Sequence, residues 1–155
     1  MVDVRGFTLL EVLVVLVLIA VVAGMVNLAA GPNLGRDARY QAQGLVALLD
    51  ASRQQAVLEG RQLGIAFTHH GYQLWQWQGQ RWQPLQRQEA LTPGLAWHLE
   101  QDGLSVPLAA EPTVPHVLIL SNDEYTAFNL YLESAQRRLL HIAGDGIDEL
   151  QIDEG

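Results

Sequence analysis

The sequence predicts an α+β chain in which a long N-terminal helical region, part membrane-spanning and part amphipathic, carries a mostly antiparallel β domain. Three features predict it: an uncharged apolar run over residues 12–30, an apolar stripe at helical spacing over 38–56, and a change to two-residue alternation beyond Gly60. A helix returns to the same face about every 3.6 residues and a strand every two, so the change of period marks where helix gives way to sheet.

The first element is the apolar run. Arg5-Gly6-Phe7-Thr8-Leu9-Leu10-Glu11 leads into residues 12–30, which carry no charge and only Asn27 as a strong polar interruption. At about 1.5 Å per residue the run is roughly 28 Å long, close to the hydrocarbon thickness of a bilayer. Glu11 stands at its start, and a charge held at mid-bilayer costs about 2.5 to 3.5 kcal/mol. A cut after Gly6 would give Phe7 a free α-amino group one helical turn before Glu11, or within reach of the same glutamate on a neighbouring chain. Two other readings compete. A secretory signal peptide would be cut after the apolar region, at Ala29-Ala30-Gly31, and an ordinary anchor would not be cut at all. Neither accounts for a carboxylate at the start of the run with Gly6-Phe7 ahead of it.

Gly31-Pro32-Asn33-Leu34-Gly35 then breaks or kinks the helix, since an interior proline costs about 3 kcal/mol or more. Ala38, Ala42, Leu45, Leu49 and Ala56 recur on one stripe with Gln43, Asp50 and Gln54 opposite, the pattern of an amphipathic helix lying on a folded domain; Gly60 ends it. Leu63, Ile65 and Phe67 begin the alternating region, and His69-His70-Gly71 turns the chain. Residues 72–78 read as the next strand, Gly79 as a hairpin turn and 81–85 as its return. Further strands are expected over 95–99, 117–120, 126–132, 139–143 and 147–152. They are sufficient for two small sheets packed against the amphipathic helix.

The 155 residues leave one globular domain beyond the apolar region, and the absence of cysteine rules out disulfides and thiolate chemistry. Net charge is −8, with seven arginines against six acids before Glu100 and two against eleven from Glu100 onward. A nucleic-acid partner requires a basic stripe, and Arg137-Arg138 is only a pair, so none is expected. Arg5 before the span and Arg36 and Arg39 after it leave the charge rule for orientation undecided.

Catalytic and metal chemistry find little support. His69 and His70 are adjacent, and no histidine pair has ligand spacing. The 145–149 turn, Asp145-Gly146-Ile147-Asp148-Glu149, has oxygen ligands without the spacing of a dedicated calcium loop, and reads as a solvated turn. Asp123-Glu124 reads the same way. Trp75, Trp77, Trp82 and Trp97 read as core, with a carbohydrate or partner platform as the alternative. Ser52, Ser105, Ser121 and Ser134 lie in no nucleophile motif.

Gly6-Phe7-Thr8-Leu9-Leu10-Glu11 followed by a long apolar run resembles the class III leader of type IV pilins and type II secretion pseudopilins. The resemblance implies cleavage after Gly6 by a prepilin peptidase, N-methylation of Phe7, and a role for Glu11 in filament assembly. It also implies a cytoplasmic leader and a periplasmic domain. Ala56-Val57-Leu58-Glu59-Gly60-Arg61-Gln62-Leu63-Gly64-Ile65 is similar to the helix-to-strand junction of the H-type minor pseudopilins and the FimT/FimU-type minor pilins. Trp82-Gln83-Pro84-Leu85 and Leu91-Thr92-Pro93-Gly94-Leu95 look like further elements of that group, as does Tyr125-Thr126-Ala127-Phe128-Asn129-Leu130. Where the group often has Gly-Glu and Thr-Pro-Phe, this chain has Asp123-Glu124 and Thr126-Ala127-Phe128. The implied division is a leader over 1–6, a transmembrane and filament-core helix over 7–30, a kink and amphipathic helix over 31–60, and a periplasmic β domain over 61–155. The implied role is structural: no enzyme activity and no cofactor, with a place at or near the tip of the pseudopilus. Partners would be other minor and major pseudopilins, the prepilin peptidase, the inner-membrane secretion platform and an exoprotein. A minor pilin of a type IV pilus, linked to DNA uptake in its FimT-like branch, is the alternative.

Overall fold

A computed structural model describes the backbone of residues 9–29 and 33–155 and the side chains of 9–21 and 33–155. The chain divides into two compact units, residues 1–33 and 34–155. In the first, helix α1 spans Leu9–Ala29. The break expected at Gly31-Pro32 lies outside the described residues.

The second unit begins with helix α2, Leu34–Glu59. Asp37 in its first turn complements the positive end of the helix dipole. At its other end Gly60 takes a left-handed φ of 62°, and the Arg61 N–H reaches back 3.1 Å to the Ala56 carbonyl. That pattern is a Schellman cap, which a side chain larger than glycine would strain. The expected stripe is the buried face: Ala38, Ala42, Leu45, Leu49 and Ala56 are at most 1% exposed. Gln43 and Gln54 are exposed and Asp50 is half-buried.

Two antiparallel sheets receive that face. The first contains β1 (Leu63–Thr68), β2 (Gly71–Gln78), β3 (Arg81–Pro84), the short β4 (Glu89–Ala90) and β7 (Val117–Ile119), ordered β3-β2-β1-β7 with β4 also paired to β2. The second contains β5 (Leu95–Gln101), β6 (Leu104–Val106), β8 (Phe128–Ser134), β9 (Arg138–Gly144) and β10 (Gln151–Glu154), ordered β10-β9-β8-β5-β6. Ile65, Phe67, Leu74, Trp97, Leu99, Leu130, Leu132 and Ile142 meet the helix residues in one core. The α+β class and the two-sheet architecture are as expected.

Several strand boundaries differ from the expectation. β6 and β4 are additional. The first follows an Asp102-Gly103 turn whose φ values, 52° and 74°, are both positive, as a two-residue hairpin of the primed type requires. Gly79 and Gln80, at 60° and 64°, build the β2–β3 hairpin the same way. β8 starts at Phe128 rather than 126, because Thr126 is tied to Leu118 by both its N–H and its hydroxyl. β10 starts at Gln151 rather than 147, because one Asp145 oxygen accepts the N–H groups of Ile147 and Asp148, each at 2.9 Å, and holds them in a turn. Those two bonds also hold the Asp145 carboxyl below its ordinary pKa.

β1 is buried along its whole length, so it lacks a solvent face. A Cβ at Gly64 would lie 2.6 Å from the ring of Pro115, showing that the segment before β7 lies over this part of the sheet. His116 extends the ladder: its N–H donates to Ile65 O, while its Nδ1 accepts the Phe67 N–H at 3.0 Å. That second bond requires an unprotonated Nδ1, and burial also pushes the His116 pKa down.

Gly64→Val is expected to destabilise the full chain by about 1–3 kcal/mol through overpacking against Pro115, read by thermal unfolding in detergent micelles; unchanged stability would mean the Pro115 segment yields freely. The folded pKa of His116 is depressed below 6.5, so its contribution is complete above pH 6.5 and declines as pH falls from there to the folded value. An NMR titration of the imidazole should therefore give a midpoint below 6.5, with stability falling over the same interval. A midpoint at or above 6.5 would contradict the Phe67–His116 bond.

Candidate functional site

Two regions carry the side chains that matter for function. The first is α1. Glu11 lies in its first turn and is exposed, and it is followed by apolar side chains directed to every side of the helix. From Leu9 at 85% to Val21 at 49%, none of the large apolar residues described is buried. A helix that is apolar all round is at home in a membrane or in the middle of a helix bundle, and not alone in water. Among the positions with described side chains, no helix is long and apolar enough to cross a membrane. The backbone helix continues through 21 residues to Ala29, a length of roughly 31 Å. Gly6 and Phe7, where cleavage and methylation are expected, lie outside the described residues.

The second region was not legible as a site. Arg53 projects from the buried face of α2, with its side chain 10% exposed. Its Nε donates to Asp123 Oδ1 at 2.9 Å, and its terminal nitrogens donate to the carbonyls of Asp123, Ile147 and Asp148 at 3.1, 2.7 and 3.2 Å. The guanidinium also lies 4.9 Å from the centre of the Tyr125 ring, whose hydroxyl donates to the Asp148 carbonyl at 2.8 Å. One cation thus ties the helix to the β7–β8 and β9–β10 loops. Asp123 is therefore engaged rather than merely solvated, although 60% of its side chain remains exposed. Desolvation raises the Tyr125 pKa, so the phenol keeps its proton for this bond. Helical spacing offered a signal: Arg53 lies four residues after Leu49 and three before Ala56, on the apolar stripe.

The remaining candidates are dispersed. His98 lies 3.3 Å from Glu100, while His141 hydrogen-bonds Asn129 at 2.9 Å and stacks on Tyr131. His69 and His70 occupy the turn between β1 and β2. Among the described residues, no three His, Asp or Glu side chains are gathered as metal ligands. Ser52 donates to the Leu48 carbonyl of its own helix. Trp97 is buried in the core, while Trp75 is buried on the opposite face of the first sheet; among the described residues neither indole N–H finds a hydrogen-bond acceptor. The core assignment fails for Trp77, which is 45% exposed and meets the half-buried Trp82 edge to face at 5.5 Å.

Residues 1–27 match the prokaryotic N-terminal methylation motif, and residues 41–146 match the family described as type II transport protein GspH. The chain belongs to the GspH family. The type II secretion system protein H of Pseudomonas aeruginosa is 31% identical to this GspH-family chain over 157 residues, covering 92% of it and 91% of the relative. Among solved structures, the minor pseudopilin EpsH of the Vibrio cholerae type II secretion system superposes with a TM-score of 0.67 at 21% identity. That match covers 79% of this chain and 98% of EpsH. The solution structure of Escherichia coli GspH gives 0.67 at 23% identity, covering 81% and 93%. These structures share the helix-on-two-sheets fold of the second unit.

Arg53→Met is expected to lower the stability of the second unit by about 2–4 kcal/mol, because it removes a buried charged donor from three loop carbonyls. Asp123→Asn should cost about 1 kcal/mol or less, since that carboxylate is largely solvated. Denaturant unfolding of both variants measures the difference, and equal losses would show that the ion pair, rather than the carbonyl bonds, dominates.

Proposed function

We propose that this chain is a minor pseudopilin of the type II secretion system, a structural subunit at or near the tip of the periplasmic pseudopilus that supports export of folded proteins. The observation that carries this reading is the conjunction of a GspH-family domain with an N-terminal methylation motif at the head of an apolar helix that carries one early carboxylate. A prepilin peptidase cuts after Gly6 and Phe7 is N-methylated. The span α1 then holds the protein in the inner membrane with its second unit in the periplasm. On assembly, α1 leaves the lipid for the bundled core of the filament, where its side chains exchange one apolar environment for another. The new α-amino group at Phe7 supplies a cation for Glu11, on the same or a neighbouring subunit, and that pairing sets the axial register.

The remaining partners are other minor and major pseudopilins, the inner-membrane secretion platform and an exoprotein. The protein is not an enzyme in this reading: its chemistry is received from the peptidase, and its action is assembly. The Arg53 cluster is structural, since its donors are spent on backbone carbonyls and one carboxylate.

Deleting the gene in its source strain should remove exoprotein from the medium while leaving pilus-driven motility and DNA uptake intact. Complementation with Glu11→Leu should restore the membrane level of the protein but not secretion. Loss of motility or uptake with normal secretion would overturn the pseudopilin reading, and full secretion by Glu11→Leu would remove the charge-pair mechanism.

A further inference from the structure

The two sheets differ on the faces turned away from the core. That of the second sheet is polar: His98, Tyr131 and His141 lie side by side across three strands, with the Arg138 guanidinium 4.0 Å over the Tyr131 ring. This is the ordinary arrangement for a sheet with one face in water. The first sheet breaks the rule. Pro84, Trp75, Gly64 and Leu118 are successive cross-strand neighbours on the face opposite Leu74 and Ile65, and Trp77 pairs with Trp82 in the next row out. Side chains alternate between faces, so these rows form one apolar surface.

That surface is covered at its middle, over β1. The Pro115 ring lies over Gly64, where glycine leaves room for it. Beyond, Trp77 is 45% and Leu118 37% exposed, with Trp82 half-buried between strand and solvent. Charge marks the same place. In a chain of net charge −8, residues 60–88 contain no Asp or Glu and hold Arg61, Arg81 and Arg87. Arg61 is paired with Glu59. Arg81 and Arg87 are exposed, and among the described residues neither forms an ion pair.

We propose that the β2–β3 hairpin is a docking surface for an acidic polypeptide segment of a different subunit. A proline or aliphatic side chain of that segment sits on Trp77 and Trp82 as Pro115 sits over Gly64, and its carboxylates meet Arg81 and Arg87. Tryptophan and arginine are the residue types that dominate interface energetics, and extended proline-bearing segments favour aromatic surfaces. The charge contrast selects an acidic partner and steers its approach. The identity of the partner as a pseudopilin rests on the function proposed above; the docking surface itself does not.

The test uses the full chain in its source strain with a photo-crosslinking amino acid in place of exposed Gln78. Ultraviolet irradiation should yield an adduct whose peptides map to an Asp- or Glu-bearing segment of another pseudopilin. Its yield should fall about tenfold or more in Trp77→Ser with Trp82→Ser, and also in Arg81→Glu with Arg87→Glu, which alters exposed residues and leaves the core intact. An adduct to an acidic segment of a protein outside the secretion system would keep the docking surface and overturn its pseudopilus partner. Absence of an adduct, or adducts only to a second copy of this chain, to lipid, to glycan or to a segment without acids, would overturn the proposal. So would a yield that neither double variant changes.

Discussion

The apolar surface of α1 is the constraint from which the rest follows. Eleven large aliphatic side chains between Leu9 and Val21 face outward, and each loses about 1.5–3 kcal/mol if kept in water rather than buried. The second unit has its own complete core, assembled from α2 and both sheets. The apolar side chains of α1 likewise require cover from an apolar environment. Lipid and a bundle of like helices both meet that need at similar free energy, since tails and aliphatic side chains are comparably apolar. A protein that moves from one to the other needs a device for position rather than for affinity. In the function proposed here, the single carboxylate of Glu11 at the head of the helix serves as that device, because charge pairs have a definite location along an otherwise uniform rod.

The second unit is held together as one compact body. Small residues along α2, Ala38, Ala42 and Ala56, let the helix approach the sheets closely, and Leu45 and Leu49 fill the wider gaps between them. Arg53 then closes the far end, where loops rather than strands meet the helix and where an apolar side chain would donate nothing to the carbonyls of Asp123 and Ile147. A buried charge is costly, but here it meets one carboxylate, three carbonyls and an aromatic ring, contacts that offset its desolvation.

Much of this was legible because the relevant patterns are short. The helical stripe of α2 and the alternation in β2 and β5 are local, as are the glycine ends at Gly60 and Gly79. Asp102-Gly103 was equally local and predicts the hairpin into β6, yet that strand is only three residues, Leu104–Val106, too short for an alternating pattern to stand out before Pro107. The start of β10 was misplaced because Ile147, Leu150 and Ile152 follow one another in a short segment that reads as a single apolar run. The Asp145 side chain captures the backbone between them, and Ile147 is left 68% exposed. Arg53 sat on the apolar stripe in plain view, but its partners lie 70 to 95 residues away. Only the fold brings them together. The same holds for Trp77 and Trp82: their strand positions are readable, whereas the absence of cover over them depends on where the Pro115 segment ends.

The measurement that tests the central claim most directly is an intact mass of the chain recovered from membranes of its source. The account predicts a single species beginning at Phe7 and carrying one added methyl group, and its appearance should require the prepilin peptidase. A species beginning near Gly31, or one retaining Met1 through Gly6 with the peptidase present, would contradict it and return α1 to the role of a signal peptide or a plain anchor.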